Sequence, residues 1–429
     1  MFDVVIIGGG AAGFYAAIHI AEENPSLKVA IIERGKQVLS KVRVSGGGRC
    51  NVTHATFVPT ELVKNYPRGE KELMGPFHTY ATGDTVDFFE RRGITLKIEE
   101  DGRIFPTSNS SQTIIDCFLN ETARLGVKVI KSTAVTGIFP PEKLENEQGA
   151  YWKIETIRKD FHAKKVIVAA GSSPKVWTML EALGHTIVPP VPSLFTFNIK
   201  DPRIKGIQGI STEVRVSVSI EKNKNSKLTT VLKSKKIQPI KLTSEGPLLI
   251  THWGMSGPAI LKLSAWGARI LHDCDYMFKA TVNWLPEYHK GGIIHLLMQV
   301  KEIESKKTVL RTNAVDLPRR LWINLVKAAG ISETTKWADV SKLELQKLSE
   351  QLTESEFEVL GKSTFKEEFV TAGGVDLKEI NFKTYESKIH PQLYFAGEVI
   401  NVDAITGGFN FQNAWTGAYI AAKAIVSAV

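Results

Sequence analysis

Three glycines near the start of the chain are spaced for anion chemistry. Gly8-Gly9-Gly10-Ala11-Ala12-Gly13 is a G-x-G-x-x-G string. In such a string the first glycine permits a tight turn, and the second lets the backbone approach a pyrophosphate. The third lets a helix pack closely on a strand. A phosphate seated there meets free N–H groups and the positive end of a helix dipole. Glu33 follows Gly13 by twenty residues, at the end of the next apolar run. A carboxylate at that place suits a ribose 2′-hydroxyl and repels a 2′-phosphate. The pattern points to a dinucleotide, without separating FAD from NAD.

A second glycine run separates them. Lys41-Val-Arg-Val-Ser45-Gly46-Gly47-Gly48-Arg49-Cys50-Asn51 puts three glycines beside hydrogen-bond donors. Backbone of this kind can press against a flat ring and offer N–H groups to it. Read alone, the same run is also consistent with a mobile loop. Arg49 is the best anion candidate beside such a ring. Cys50 has no partner at Cys-x-x-Cys spacing, which favours packing over redox work. His252, beside Trp253, reads first as a structural histidine. These three are the catalytic candidates, and none is assigned. No Ser–His–Asp set, metal-ligand cluster or Walker loop occurs. A second glycine motif is missing, so a nicotinamide would have to bind without its own Rossmann domain.

These residues need elements to hold them. Residues 2–7 (FDVVII) form an apolar run of strand length, 11–23 read as an Ala- and Ile-rich helix, and 27–33 as a second strand. This is the unit of a parallel, doubly wound sheet. Residues 112–125 look helical, Val127 to Ile130 look like a strand, and Lys165 to Ala169 form a buried strand ending in Ala170-Gly171. Beyond Pro189, Pro190 and Pro192 the character changes. Val214, Val216, Val218 and Ile220 alternate with polar residues, the period of a half-exposed strand. Strand-like segments are expected to about Leu285 and helices over 292–362. A strand is expected again at Gln392 to Ala396, and a helix from Asn413. The fold class is α/β: a Rossmann-type FAD-binding domain in two sequence segments, 1–190 and 364–429, interrupted by a β-barrel-like insert (191–287) and a small helical domain (288–363).

The chain has 429 residues, 43% hydrophobic and 23% charged, which is ordinary for a globular protein. Cys50, Cys117 and Cys274 fit no zinc site or disulfide framework, so a reducing cytoplasm is the expected setting. The N-terminus lacks a basic signal region, and no apolar run approaches the ~18 residues a membrane span needs. The formal charge is +9. Residues 191–290 hold 15 Lys/Arg against 7 Asp/Glu, including Lys222, Lys224, Lys227, Lys233, Lys235, Lys236 and Lys241. Such a patch can attract nucleic acid, but a solvated lysine-rich hairpin is the simpler expectation.

With these strings in view, the chain resembles a family of bacterial FAD-dependent flavoproteins that includes aminoacetone oxidase and a bile-acid-precursor reductase. The anchors are the first glycine motif, Ser45-Gly-Gly-Gly-Arg-Cys-Asn51, Gly102-Arg-Ile-Phe-Pro106, Leu249-Ile-Thr-His252 with Ser256-Gly-Pro-Ala259, Thr371-Ala-Gly-Gly-Val375, and Leu393-Tyr-Phe-Ala-Gly-Glu398 through Thr406-Gly-Gly-Phe-Asn-Phe-Gln412. The resemblance implies that Ser45 to Asn51 line the flavin and ribityl chain and that Glu398 stands by the ribityl and pyrophosphate. It also implies that Gly407, Gly408, Phe409 and Asn410 aim the last helix at the flavin. Gly408 would then let the backbone approach the ring, and Gly408→Val would obstruct the flavin without unfolding the protein. Arg34, Lys41, Val135, Ala170, Gly171 and Gly397 complete the expected cofactor-binding positions. One departure stands out. After Ala170-Gly171 the family carries a longer glycine-rich loop, whereas here Ser172-Ser173-Pro174 runs directly into Lys175-Val-Trp177.

The expected activity is an FAD-dependent oxidoreductase moving a hydride between flavin N5 and a small or medium organic substrate, an amine, ketone or enone. The pocket is expected between the FAD domain and the inserts, with NADH or NADPH as a candidate transient donor. Nucleic acid and membrane are not expected partners. Two alternatives stay open: an RNA-modifying flavoprotein using the basic insert, and a non-catalytic flavin sensor.

Overall fold

The computed structural model describes residues 1–143, 149–220, 240–312, 314–363 and 370–427. Six of the lysines singled out above, Lys222 to Lys236, lie outside these residues. The chain divides into two compact units, Met1–Pro192 with Phe365–Val429, and Ser193–Thr364.

The first unit is built on a parallel sheet. Strand β1 (Phe2–Ile7) is followed by helix α1 (Ala11–Glu23) and strand β2 (Val29–Ile32). Helix α2 (Ser40–Gly48) and the short β3 (Thr53–His54) come next, then β4 (Lys128–Ile130) and β5 (Phe161–Val168). The C-terminal segment adds β6 (Leu393–Phe395) and helix α3 (Phe409–Ser427). Within a nine-stranded mixed sheet the parallel core runs in the order β4-β2-β1-β5-β6, with antiparallel strands beside it. Successive strands after β1 step to one side and later ones to the other. The order therefore reverses between β1 and β5, and ligands of such sheets bind at the carboxyl ends of the strands there. The strands are buried on both faces, which explains their unbroken apolar runs.

Helices α1 and α3 pack through an aromatic cluster. Tyr15 and Trp415 ring centroids are 4.8 Å apart, and Phe118 lies 5.7 Å from Trp415. The buried Lys165 Nζ of β5 donates to the Ile425 carbonyl at 2.6 Å, a cation at the negative end of α3.

In the second unit, strand Ser211–Ile220 pairs antiparallel with Ile240–Ile250 and with Met277–Asn283. The expectation of strands as far as Leu285 is corrected here, because Pro258–Asp273 is a sixteen-residue helix. Its Ala259, Ile260, Leu263, Gly267, Ala268 and Leu271 are buried at helical spacing, behind Pro258 at the first turn. The expected helical stretch contains three α-helices, Lys290–Ile303, Arg319–Ala328 and Lys342–Thr353. It ends in a strand, Ser355–Leu360, paired with Met277–Asn283. Ser355, Phe357 and Val359 are buried while Glu356 and Glu358 are exposed, a period of two. Strand residues such as Val216 and Val282 and helical ones such as Trp322 and Leu348 share one core.

Charge divides with the fold. Residues 193–364 hold 26 Lys/Arg and 17 Asp/Glu, which is the whole +9, and the rest of the chain holds 28 of each. Among the described residues no helix is long and apolar enough to cross a membrane.

Candidate functional site

The glycine turn after β1 is close-packed on one side and open on the other. Gly8 has φ +117°, and a Cβ there would lie 2.4 Å from the Ala169 carbonyl oxygen at the end of β5. On Gly13 it would lie 2.1 Å from the Gly8 oxygen. On Gly10 it would meet nothing within 4 Å. Helix α1 starts from Gly10 with no side-chain cap and no acidic residue in its first turn, so Ala11 and Ala12 begin a positive helix end. Glu33, beyond β2, is held by two backbone donors: Gly9 N–H to Oε2 at 2.8 Å and Gly35 N–H to Oε1 at 2.7 Å. Arg34 beside it is exposed. The Glu33 carbonyl accepts from Thr133 N, two residues before the half-buried Val135.

The second glycine run is not a plain loop. Helix α2 breaks at Ser45, Gly46 and Gly47, and Ser45 Oγ donates back to the Val42 carbonyl at 2.9 Å. Gly47 and Gly48 have φ of +69° and +83°, and Cβ atoms on them would meet nothing within 4 Å. Gly46 is confined, its Cβ position lying 2.8 Å from Phe105. Arg49 pairs with Glu99 at 2.6 Å and stacks 3.9 Å over Phe105, so its charge is already engaged. Cys50 is fully buried. Burial pushes its thiol up to about 12, opposed by a hydrogen bond with Ser45, so it holds its proton at neutral pH.

Lys41 of α2 makes an ion pair with Glu398, just beyond β6. A Cβ on Gly171 would lie 3.7 Å from that carboxylate, and one on Gly397 would lie 3.2 Å from the Ala12 Cβ. The structure thus gathers Gly8 to Gly13, Ala170, Gly171, Gly397, Glu398 and Lys41 at the carboxyl ends of β1, β5 and β6. His252 is in the other unit, exposed in the turn between strands Ile240–Ile250 and Gly254–Ser256.

The start of α3 is anchored in part by residues that the spacing of motifs did not reveal, Arg68, Asp403 and Tyr66. Asp403 is fully buried in an ion pair with Arg68, Arg68 Nε donating to Oδ1 at 2.5 Å. Tyr66 Oη donates to the Phe409 carbonyl at 2.6 Å. Asn410 accepts from Ala404 N at 3.0 Å and donates to the Ala404 carbonyl at 3.1 Å. Phe409 stacks on His54 at 4.5 Å, and Trp415 Nε1 donates to the Val52 carbonyl at 2.9 Å. Gly408 has φ +96°, and a Cβ there would fall 2.6 Å from the Thr53 carbonyl group. This corrects the expectation for Gly408→Val: the glycine lets α3 approach β3, so a side chain strikes the protein's own backbone. Beside it, Asn51 Oδ1 is buried without a hydrogen-bond partner among the described residues, as are Asn401 Oδ1 and Asn413 Oδ1.

A cleft of about 940 Å³ elsewhere in this unit, with His19, Tyr80, Phe88 and Tyr419 in its lining, contains none of these residues. Its charges largely satisfy one another, Arg92 and Arg124 each pairing with Glu22 and Glu121. Among the described residues no group of three His, Cys, Asp or Glu side chains could hold a metal ion.

Comparison with known proteins agrees with this architecture. The family model described as HI0933-like protein Rossmann domain matches residues 2–424. A ribosomal RNA dihydrouridine synthase of Haemophilus influenzae is 28% identical over 98% of both chains. One of Escherichia coli is 26% identical over 100% of this chain and 98% of its own. A 3-dehydro-bile acid delta(4,6)-reductase of Clostridium scindens is 25% identical over 99% of each. The chain belongs to the HI0933-like protein Rossmann domain family and is an FAD-dependent oxidoreductase.

Proposed function

We propose that this chain reduces a carbon–carbon double bond conjugated to a carbonyl. The observation that carries the reading is the chemistry shared by the two activities named among its full-length relatives. Uracil's C5=C6 bond is conjugated to the C4 carbonyl, and a Δ4,6 3-oxo steroid is a conjugated dienone. One reaction would cover both: reduced FAD, when bound, would supply the hydride taken up at the β-carbon, with a proton added at the α-carbon and the two electrons leaving the flavin oxidised. NADH or NADPH is the proposed source of the flavin's electrons.

The residues present fit FAD. Space is open over Gly10, Gly47 and Gly48, the α1 terminus carries no acid, and the buried Asn51 Oδ1 is an acceptor awaiting a donor such as a flavin N3–H or ribityl hydroxyl. In this reading the α1 amides hold the pyrophosphate and Glu33 the adenosine ribose, while the Lys41–Glu398 pair orients the middle of the cofactor. Glu33→Ala is expected to remove a charge-assisted bond worth about 1.5–3 kcal/mol and so weaken FAD binding roughly 10- to 150-fold. Titration of apo-protein with FAD measures this, and an unchanged dissociation constant would take Glu33 off the ribose.

The reaction class is tested by reducing the flavin anaerobically and adding cyclohexenone, a 3-oxo-4-ene steroid, uridine-containing RNA or saturated ketones. Flavin absorbance should recover only with a conjugated acceptor, which is converted to the saturated product. Reduction of the oxidised flavin by amines, with no recovery by any enone, would sink the reading.

A second reading makes that alkene a uracil base within RNA. The confinement of the net +9 to residues 193–364 favours it, because a polyanion is attracted to such a unit. RNA binding that weakens steeply with salt is its expected mark.

A further inference from the structure

We propose that the start of the Arg319–Ala328 helix, with the turn packed against it, is an RNA-backbone contact surface. The proposal rests on the second reading above and assigns it a place on the molecule.

Arg319 and Arg320 fill the first turn of this helix, both exposed. The positive end of a helix dipole disfavours cations there, and acidic residues are the usual choice. Neither arginine has an ion pair among the described residues. At the far end of the same helix Lys327 does pair, with Glu333 at 2.6 Å. A local rule broken without local compensation points to a role outside the fold.

Other cations share this framework. Arg311 closes the Val309–Arg311 turn, which is tied to the helix by Trp322 Nε1 donating to the Val309 carbonyl at 3.2 Å. Lys336 bridges to Thr308, and Trp337 Nε1 donates to Thr312 Oγ1 at 2.9 Å. Trp322 and Trp337 are both buried, so the cations ride on a packed base. Residues 305–340 hold seven Lys/Arg against three carboxylates, Asp316, Glu333 and Asp339. Exposed arginines spread along a surface hold a single small anion poorly in water. A polyanion gains more, because each neutralised phosphate releases a condensed counterion. The planar guanidinium also matches phosphate oxygens in pairs.

The test uses the full FAD-loaded chain and a fluorescently labelled, uridine-containing RNA stem–loop, with anisotropy read across a salt series. Removing two phosphate contacts in R319Q/R320Q should flatten the log–log salt slope by about 1.4–1.8 and weaken binding about 25- to 60-fold at 0.1 M salt. R319E/R320E should weaken it further while melting at or above the wild-type temperature, since carboxylates suit that helix end. The flavin spectrum should not change. Unaltered affinity and slope in both variants would overturn the proposal while leaving the RNA reading intact. A wild-type chain with no salt-dependent RNA binding would overturn both. Equal binding of polyglutamate, lost in the same variants, would overturn RNA as the partner in favour of an acidic protein.

Discussion

Arg68→Ala is expected to destabilise the Met1–Pro192 and Phe365–Val429 unit by about 3–5 kcal/mol, the range for removing one partner of a buried ion pair. The guanidinium is 14% exposed and the Asp403 side chain 0%, so solvent screens the pair little. Without Arg68, a carboxylate stays in the interior after losing its main counter-charge, which is costlier than never having buried the pair. The apparent melting temperature should fall by about 6–20 °C, at roughly 2–4 °C per kcal/mol for a unit of this size. Removing both charges in R68M/D403L should recover much of the loss, because an apolar pair of similar volume carries no desolvation cost. Comparing the three melts checks this. A single variant as stable as wild type would show that Asp403 is satisfied without its arginine.

Gly408→Val should unfold before it obstructs. A β-branched residue at φ +96° is strained by about 1–3 kcal/mol, and its Cβ would lie 2.6 Å from the Thr53 backbone. Backbone cannot swing aside as a side-chain tip can, so α3 must lift from β3. That movement would stretch the Trp415–Val52 and Thr53–Gln412 hydrogen bonds, 2.9 and 2.6 Å long. A total loss of about 4 kcal/mol or more is expected, in the range tied to overpacking and backbone strain together. The apo-protein melt and FAD occupancy should fall together. An apo melt equal to wild type, with FAD alone lost, would restore the view that the glycine faces the flavin.

The start of the chain was legible because its signals are local. An apolar run, a glycine turn and an alanine-rich stretch specify Phe2–Ile7 and Ala11–Glu23 within a few residues of each other. The helix Pro258–Asp273 was not, because a moderately apolar run among strands gives no clear period until its neighbours are known. Ser355–Leu360 did carry a readable alternation, masked by the helical stretch before it. Arg68 and Asp403 stand 335 residues apart and are ordinary types, so nothing in their spacing marks them. Gly408 was conspicuous as a glycine, but which surface it accommodates depends on where Thr53 packs.

The position of β6 has a consequence during synthesis. Val166, Ile167 and Val168 of β5 are flanked on one side by β1 and on the other by Leu393, Tyr394 and Phe395. The chain between these partners includes the whole Ser193–Thr364 unit. At roughly 5–20 residues per second, a ribosome takes about 10–45 s to make that intervening stretch. For that time the growing chain carries an unpaired apolar strand edge, the kind that recruits other chains. The glycine turn and Glu33 are already made while the edge is open, but Glu398 and α3 are not. The nascent N-terminal segment is therefore open to edge-to-edge association, and a chaperone that covers strand edges should raise its yield more than added FAD does.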